Sequence, residues 1–447
     1  MEQFISSIND PINGIVWGWP MVLLIAFTGI VLMLGLRFMP LQRLPYGVRM
    51  LWQREAGESD GDITPFQALM TSLSATIGTG NIAGVAGAIA IGGPGAVFWM
   101  WVIAVFGIAT KYAEAVLAVR YREVDGLGNH VGGPMYYIRN GLGPNWQWLA
   151  VLFALFGMLA GFGIGNGVQC FEVSSALAML GVPRLVTGIV LGAVVFAVII
   201  GGIKRIAQAA SAIVPLMSVL YLLACLIVLL INIESVPEAF ATIFGNAFSG
   251  EAAAGGAFGQ VVLMGFKRGI FSNEAGLGSA PIAHAAAKTN DPVRQGTVAM
   301  LGTFIDTLII CTMTALVIIT TGVYANGEAG AVLSITAFNT GLMGSGGVVT
   351  AGLVVFAFTT VLGWSFYGER CTEFLFGEKA ILPFRLVWVA VVVIGSVAGD
   401  RGVVWGVADT LNGLMALPNL IALLLLSGTM FRLTREYRFN QAGEGRP

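Results

Sequence analysis

The chain has 447 residues, of which 56% are hydrophobic and only 11% are charged, and its mean hydropathy is +0.83. This composition excludes a soluble enzyme, and apolar runs that are continuous rather than alternating exclude a porin-like barrel. The net charge of −1 offers no basic surface to nucleic acid, so no nucleic-acid partner is expected. The expected surroundings of the chain are a lipid bilayer.

Eleven segments are each long and apolar enough to cross a hydrocarbon core of about 30 Å as a helix. The predicted fold class is therefore an all-α polytopic membrane protein with 11 transmembrane helices. The predicted spans are 15–36, 66–91, 95–119, 146–180, 183–201, 206–231, 255–287, 295–322, 347–368, 382–399 and 402–430.

The basic residues predict the orientation. With the N-terminus outside, 18 of the 23 basic residues fall in cytoplasmic connections, and only Arg184 and Arg401 fall outside. Because positive charge accumulates on the cytoplasmic side, the N-terminus is predicted outside and the C-terminus inside. The apolar stretch 331–343 is too short to span and is predicted to pack as an extracellular helix over the mouth of the protein.

The same glycine-rich pattern, S-x-x-x-G-x-G-[N/S], occurs at 74–81 and again at 272–279, 198 residues later. This offset divides the chain into one extra N-terminal helix and two five-helix halves, which are inverted because five is odd. The predicted divisions are 1–62 with the extra helix and a basic loop, 63–231 with the first repeat, 232–430 with an extracellular loop and the second repeat, and the basic tail 431–447.

Both glycine-rich patterns predict a discontinuous helix. Glycine costs about 1 kcal/mol against alanine inside a helix, so paired glycines with small polar neighbours favour local unwinding. Non-helical backbone at membrane depth persists only where it is buried in protein or lines a cavity, and matched breaks in two repeats are typical of a transporter site near the bilayer midplane. The alternative is that these glycines only allow close helix packing.

Five runs carry a family resemblance, and together they extend over nearly the whole chain. They resemble the alanine/glycine:cation symporters, also called the sodium:alanine symporters. The resemblance implies a LeuT-like inverted-repeat core and sodium-coupled amino-acid uptake across a prokaryotic plasma membrane. The runs are TSLSATIGTGNIAGVAGAIAIGGPGAVFWMW (71–101), KYAEAVLAVRYR (111–122), GGPMYYI (132–138), FSNEAGLGSAPIAHAAAK (271–288) and VLGWSFYGER (361–370).

A zwitterionic amino acid needs both donors and acceptors in a low-dielectric cavity, and broken helices supply them from the backbone. The amides of Thr79 and Gly80 are predicted to hold the carboxylate, at the positive end of a half-helix dipole. The carbonyls of Phe271 and Ser272 are predicted to accept from the ammonium. By resemblance, Asn81 links the substrate to sodium.

Gln169 is polar within the fourth predicted span, and two interpretations of it stay open. It either contacts the substrate or makes a hydrogen bond between helices.

The resemblance also implies a sodium site that is built from oxygen atoms. Its predicted ligands are the carbonyls of Ser74, Ile77 and Phe356 and the hydroxyls of Thr359 and Thr360. The alternative for the two threonines is a hydrogen bond back to their own helix. Trp364, one turn beyond Thr360, is expected to close the pocket with Phe271 opposite and to leave room only for alanine or glycine.

Each charged residue inside the membrane raises the free energy of the folded protein unless it is paired or hydrated, so each is expected to have a partner or a function. Lys267 and Arg268 are predicted to pair with Glu274 and to brace the second break. Lys111 and Glu114, at i and i+3, are predicted to pair near the inner face. Asp306 is left open between a direct sodium or proton role and a structural one.

The predicted function is sodium-coupled symport of small neutral amino acids, alanine or glycine, into the cell by alternating access. Sodium is the expected coupling ion, with no organic cofactor, and no enzymatic motif is present. The alternatives are a proton-coupled symporter, in which Asp306 or Glu274 titrates, and a channel or sensor on the same scaffold. The oligomeric state stays open.

Overall fold

A computed structural model describes residues 2–53, 59–248, 257–437 and 439. These residues are mostly helical, and two short strands, β1 (Glu123–Val124) and β2 (His130–Val131), pair antiparallel. The α-helices of the first half are α1 Glu2–Val16, α2 Trp19–Gly35, α3 Met39–Gln42, α4 Leu44–Met50, α5 Pro65–Thr76, α6 Val85–Gly92, α7 Ala96–Arg120, α8 Pro134–Tyr137, α9 Gln147–Ala160, α10 Val168–Ala178, α11 Arg184–Ile199, α12 Gly202–Ile231 and α13 Val236–Ala247.

The second half continues in the same manner. Its α-helices are α14 Ala257–Asn273, α15 Ala280–Ala285, α16 Pro292–Thr303, α17 Thr312–Thr320, α18 Gly330–Gly341, α19 Gly346–Phe376, α20 Ile381–Val397 and α21 Arg401–Glu436. Wider π-helical turns occur at Gly80–Gly84, Ile138–Leu142, Gly161–Gly167 and Phe304–Cys311. Single 3₁₀ turns occur at Pro144–Trp146, Ile233–Ser235, Val323–Asn326 and Glu378–Ala380.

Within the described ranges, eight helical segments are long and apolar enough to cross a membrane, and a bent pair makes a ninth. The protein is therefore a multi-pass membrane protein. Two predicted spans do not meet that length: α11 has 16 residues, and the predicted span 255–287 is interrupted after α14. Eleven crossings thus stay a prediction.

The first predicted break is present between α5 and α6. A capping box of Thr64 and Gln67 begins α5, and the helix ends at Thr76. Ile77 takes an extended conformation (φ −76°, ψ 96°), and the chain then continues through the π turn Gly80–Gly84. The two halves are bent by 50° relative to each other. We call residues 65–92 the first broken segment.

The second predicted break lies between α14 and α15. Here Glu274, Gly276 and Gly278 have φ values of 57°, 90° and 82°. Glycine reaches this left-handed region freely, whereas a residue with a Cβ is strained there. The two glycines of the motif are therefore placed where the backbone must reverse its helical course. We call residues 257–285 the second broken segment.

Other helices pack closely against these breaks. α7 contacts both α14 and α16, so it lies behind the second broken segment. α18, the helix predicted over the mouth, lies across the π turn of the first broken segment, where the Ser334 hydroxyl donates to Ile82 O at 3.0 Å.

Both ends of the chain differ from the predicted boundaries. The predicted N-terminal span 15–36 consists of the end of α1 and of α2, with a turn between them at Trp17 and Gly18. α1 packs along α21 because the Asn13 amide donates to Gly406 O and to the Thr410 hydroxyl. α21 continues to Glu436, six residues into the predicted tail, and residues 440–447 lie outside the described residues.

Candidate functional site

The first break frees a backbone carbonyl and turns it toward α19. In an unbroken helix Ile77 O would accept from the amide of Asn81, but that amide bonds to Gly78 O at 3.3 Å. Ile77 O accepts instead from the Thr360 hydroxyl at 3.3 Å. The Asn81 side chain holds the turn, because its Oδ1 accepts from Gly78 N at 2.9 Å. An interrupted helix thus presents polar groups deep inside the protein.

The second break frees two further carbonyls. The amide of Ala275 donates to the Asn273 side chain at 2.9 Å, and the amide of Gly276 donates to Glu114 Oε1 at 3.1 Å. In a continuous helix these amides would have bonded to Phe271 O and Ser272 O. The two carbonyls that the sequence predicted for an ammonium group are therefore the ones that lose their helical donors.

Asp306 joins the two breaks. Its Oδ1 accepts from the side-chain amide of Asn81 at 2.7 Å, and its Oδ2 accepts from the Ser272 hydroxyl at 2.8 Å. The neighbouring Thr307 hydroxyl also donates to Oδ2 at 2.8 Å. All four side chains are buried. A carboxylate supplied by the π turn Phe304–Cys311 thus holds both broken segments at one point.

The residues predicted for a sodium ion come together beside the first break. The hydroxyls of Thr359 and Thr360 both reach Phe356 O, at 2.9 Å and 3.0 Å. Ser74 lies close to α19, since a Cβ added to Gly363 would stand 2.7 Å from its hydroxyl oxygen. Both threonines bond back to their own helix, but Thr360 also reaches Ile77 O.

This oxygen cluster fits a hard monovalent cation. A hydroxyl can turn its hydrogen away and present lone pairs, so carbonyl and hydroxyl oxygens can both act as ligands. No group of three or more His, Cys, Asp or Glu side chains that could hold a metal ion occurs in the described part of the chain. A cation bound here would therefore rely on neutral oxygen atoms.

Gln169 connects α10 to the first break. Its Oε1 accepts from the amide of Thr79 at 3.2 Å, and its Nε2 donates to Ile164 O at 3.0 Å. The amide expected to bind a substrate carboxylate is thus held by a side-chain oxygen. The Thr79 hydroxyl, also buried, has no hydrogen-bond partner among the described residues.

Glu114 of α7 stabilises the second break. Its Oε1 accepts from the amides of Gly276 and Gly278, both at 3.1 Å. Asn419 of α21 donates to the same oxygen at 2.7 Å and to Gly276 O at 3.0 Å. The unwound turn is therefore paired with side chains from two other helices, as buried peptide groups require.

The predicted pairing of Lys267 and Arg268 with Glu274 is wrong. Lys267 Nζ lies 2.7 Å from Asp409 Oδ2, and Arg268 Nη1 lies 3.5 Å from Asp409 Oδ1. Glu274 accepts instead from the Trp364 indole at 2.7 Å and from the Ser279 hydroxyl. Both basic residues lie nearly two helical turns before Glu274, about 9–10.5 Å along the axis, and the nearer acid is on another helix.

The predicted ion pair between Lys111 and Glu114 does not form a direct contact, although the two groups interact electrostatically. The Lys111 ammonium makes no hydrogen bond to any described residue. Glu114 uses its Oε1 for the second break instead, because the turn of the chain brings two free amides within its reach.

Aromatic and charged side chains, which we call the cover, lie over the Phe271 ring: Trp405, Arg268 and Arg401. The Phe271 ring stacks on Trp405 with centroids 5.0 Å apart, and Arg268 lies over Trp405 at 4.7 Å. The Trp405 indole and Arg401 both donate to Glu172 Oε1, at 2.8 Å. A cavity of about 250 Å³ is lined by Arg268, Arg401 and Trp405 and by residues of the first broken segment. This cavity lies between the cover and the second half of the first broken segment.

Sequence reasoning missed Glu114, Asn419, Trp405 and Asp409 as parts of this site. Each acts across helices that are far apart in the chain, and no local pattern marks such a partner. The only available signal was their rarity: Glu114 and Asp409 are acids within predicted spans, where a charge requires a partner.

A model of the sodium:alanine symporter family matches residues 1–446. The sodium/alanine symporter AgcS of Methanococcus maripaludis is 52% identical over 452 residues, which cover 98% of this chain and 99% of AgcS. The amino-acid carrier protein AlsT of Bacillus subtilis is 39% identical over 442 residues, covering 98% of this chain and 93% of AlsT. These matches confirm the family that the sequence motifs resemble.

The fold has a counterpart among solved structures. The crystal structure of MhsT in complex with L-phenylalanine aligns with a TM-score of 0.59 at 14% identity, covering 87% of this chain and 92% of that chain. At this identity the likeness shows the fold alone, and it confirms the LeuT-like architecture. A family of transporters, with relatives named as symporters, confirms that the protein is not an enzyme. This chain belongs to the sodium:alanine symporter family.

Proposed function

We propose that the protein takes up a small neutral amino acid, alanine or glycine, together with sodium by alternating access. The observation that carries this proposal is the meeting of both broken segments at Asp306, through Asn81 and Ser272. Backbone donors from one break and backbone acceptors from the other then face the same buried region. Such a pair suits a zwitterion, which needs both kinds of group at once.

In this proposal the substrate lies between the breaks. Its carboxylate receives hydrogen bonds from the amides of Thr79 and Gly80, and Gln169 releases the Thr79 amide as the carboxylate arrives. Its ammonium donates to Phe271 O and Ser272 O, the carbonyls without helical donors. Gly80 supports this arrangement because a Cβ there would stand 3.3 Å from the Ser272 Cα and 3.4 Å from the Phe271 ring.

Sodium binds beside the first break in the same proposal. Its ligands are the carbonyls of Ser74, Ile77 and Phe356 and the hydroxyls of Thr359 and Thr360. Binding there would fix the bend of the first broken segment and so prepare the amides of Thr79 and Gly80 for substrate. This coupling is a local one, because Ile77 and Thr79 are two residues apart. The ion gradient then supplies the energy for uptake.

The proposed setting is the prokaryotic plasma membrane, with the N-terminus outside and the C-terminus in the cytoplasm. The distribution of basic residues supports this orientation. The cover over Phe271 then faces the outside, and α18 shields the mouth above the first broken segment. We further propose that residues 63–231 hold the first five-helix repeat and residues 232–430 an extracellular loop and the second, inverted repeat.

Thr360→Ala is expected to raise the sodium concentration for half-maximal uptake about five- to tenfold, because one hydrogen-bonding ligand is worth about 1 kcal/mol. Thr372→Ala is the matched control, since among the described residues the Thr372 hydroxyl bonds only to Gly368 O on the same helix. Sodium titration of alanine uptake distinguishes the two variants. An unchanged sodium dependence in Thr360→Ala would remove this residue from the ion site.

Trp364→Ala is expected to admit larger amino acids. Competition by leucine should improve at least about tenfold, since each extra methylene accepted by an apolar pocket is worth about 1–3 kcal/mol. Trp364→Phe loses the hydrogen bond to Glu274 but keeps an aromatic ring, although a smaller one, so it should retain most of the selectivity for small side chains. Equal exclusion of leucine by the alanine variant and the wild type would contradict a role in selectivity.

Uptake into proteoliposomes tests the whole proposal. An inward sodium gradient without a pH gradient should accumulate labelled alanine above equilibrium, and a pH gradient without sodium should not. Accumulation with protons alone would replace sodium by protons as the coupling ion. Ion currents without any accumulation of labelled alanine would identify a channel instead.

A further inference from the structure

A buried lysine faces the second break from α7. Gly107, Lys111 and Glu114 are spaced by four and three residues, so they share one face of that helix. At one end of this face, a Cβ on Gly107 would stand 3.0 Å from the Ala275 Cβ. At the other end, Glu114 accepts from the amides of Gly276 and Gly278. Lys111 lies between them and so faces the same unwound turn.

The Lys111 ammonium is isolated from hydrogen-bond acceptors. The residue is 1% exposed, and Nζ has no hydrogen-bond partner among the described residues. A buried charge costs several kcal/mol unless other charges compensate it. The carboxylates that interact electrostatically with this ammonium are Glu114, Glu274 and Asp306, all of them buried.

The acidic side chains in this region outnumber the basic ones. Three acidic side chains interact electrostatically with one lysine, and Glu114 Oε2 has no hydrogen-bond donor in the described part of the chain. Asp306 is compensated by three hydrogen-bond donors at the junction of the breaks. Glu114 and Glu274 hold the second break itself, since one accepts from its amides and the other accepts from Ser279 at the start of α15. These two acids depend most on a nearby cation.

We propose that Lys111 is a tethered cation for the second break. Its ammonium provides, permanently and from within the chain, a positive charge that favours the ionised form of Glu114 and Glu274 against the cost of burial. Without Lys111, a mobile cation would have to supply this positive charge. The two breaks are then unlike: sodium enters and leaves at the first, whereas the charge at the second stays constant through the cycle. The consequence for ion coupling rests on the proposed sodium symport, but the electrostatic role of Lys111 does not.

The inference predicts what happens when the tethered charge is removed. In Lys111→Met, one of the two carboxylates must take up a proton to remain buried. At neutral pH the folded protein then holds a proton on this carboxyl group, whereas the same group in the unfolded chain is ionised. The free energy of unfolding is therefore higher at low pH and falls as pH rises. Lys111→Arg keeps the charge and should not acquire this dependence. The titratable groups that face Lys111 or its carboxylates are Glu114, Glu274, Asp306, His284, Tyr137 and Tyr367.

The first measurement is the thermal melting temperature of the purified full-length protein between about pH 5.5 and about pH 8. Relative to wild type and Lys111→Arg, the methionine variant should lose stability as pH rises. Sodium-driven alanine uptake by that variant should fall over the same range, by at most about tenfold per pH unit for one proton. A methionine variant with the pH profiles of the wild type in both measurements would overturn the inference.

A second variant separates charge from packing. Lys111→Met with Glu114→Gln removes one charge of each sign and keeps an acceptor oxygen for the amides of Gly276 and Gly278. It should regain the wild-type pH profile of melting. If Lys111→Met alone does not fold, recovery of folded protein in the double variant supports the inference, and equal failure of both contradicts it. Melting does not require transport, so a failure of the symport proposal would appear separately, as absent alanine uptake by the wild type.

Discussion

Asp306→Ala is expected to reduce sodium-driven alanine uptake by at least about 100-fold. The substitution removes the carboxylate that Asn81 and Ser272 share. The Asn81 amide then keeps only its weaker contacts with Asp306 O and Cys311 Sγ, and the Ser272 hydroxyl keeps only Cys311 Sγ. Each hydrogen bond to a charged group is worth about 1.5–3 kcal/mol, so losing two costs at least about 3 kcal/mol, and each 1.4 kcal/mol corresponds to about a tenfold change. Initial rates in proteoliposomes, normalised to folded transporter, provide the measurement.

Asp306→Asn separates the charge of this side chain from its shape. The amide can still accept from Asn81 through its oxygen and can donate to the Ser272 hydroxyl through its nitrogen. Its uptake should therefore lie between those of the wild type and the alanine variant, about tenfold below the wild type if one charge-assisted bond is weakened. Wild-type rates in Asp306→Ala would show that the two breaks do not depend on this bridge.

Gly78→Ala is expected to abolish most sodium-coupled uptake, with a loss of about 100-fold. A Cβ at this position would overlap the Thr360 hydroxyl and would stand 3.1 Å from Gln169 Oε1. The backbone conformation allows alanine, so the effect is one of space. Overpacking costs about 1–3 kcal/mol, and displacing the Thr360 hydroxyl from Ile77 O adds about 1 kcal/mol.

Gly347→Ala is the control for this substitution. Gly347 lies in α19, the helix of Thr360, but a Cβ there would meet nothing within 4 Å. Its uptake should stay within about twofold of the wild type, as expected for an exposed position. A sodium dependence that is equally insensitive to both substitutions would contradict a sodium site next to Gly78.

The sequence was sufficient to locate both breaks. Paired glycines at 78 and 80 and at 276 and 278 act locally, since their effect on the backbone is felt by the residues that carry them. The structure interrupts the helix at Ile77–Thr79 and again at Glu274–Ser279. The family motifs added the predicted sodium ligands, and the Thr360 hydroxyl lies within hydrogen-bond distance of both Ile77 O and Phe356 O.

The partners of the buried charges could not be predicted from the sequence. Lys267 and Arg268 are near Glu274 in the chain, yet Asp409 of α21 is their ion-pair partner. Glu114 is near Lys111 in the chain, yet it bonds to the second break. Which partner a buried charge finds depends on how the helices are rotated against each other. That rotation depends on close contacts between helices, such as that of Gly107 with Ala275, which the sequence does not show.

The aromatic contacts around the pocket could not be predicted either, because they too join residues of different helices. The Phe271 ring stacks on Trp405, a residue that no motif singled out. Trp364 packs edge-on against Tyr367 and donates to Glu274, and its place opposite Phe271 stays a prediction. Aromatic rings pair across helices by shape, and a single sequence contains no record of which rings meet.

An experimental structure with alanine and sodium bound tests the central claim most directly. We expect alanine between Thr79–Gly80 and Phe271–Ser272, with its carboxylate at the first pair, and an ion within coordination distance of Ile77 O and the Thr360 hydroxyl. Both helices should be interrupted as described. Alanine bound elsewhere, or two uninterrupted helices sealed against their neighbours, would contradict the account.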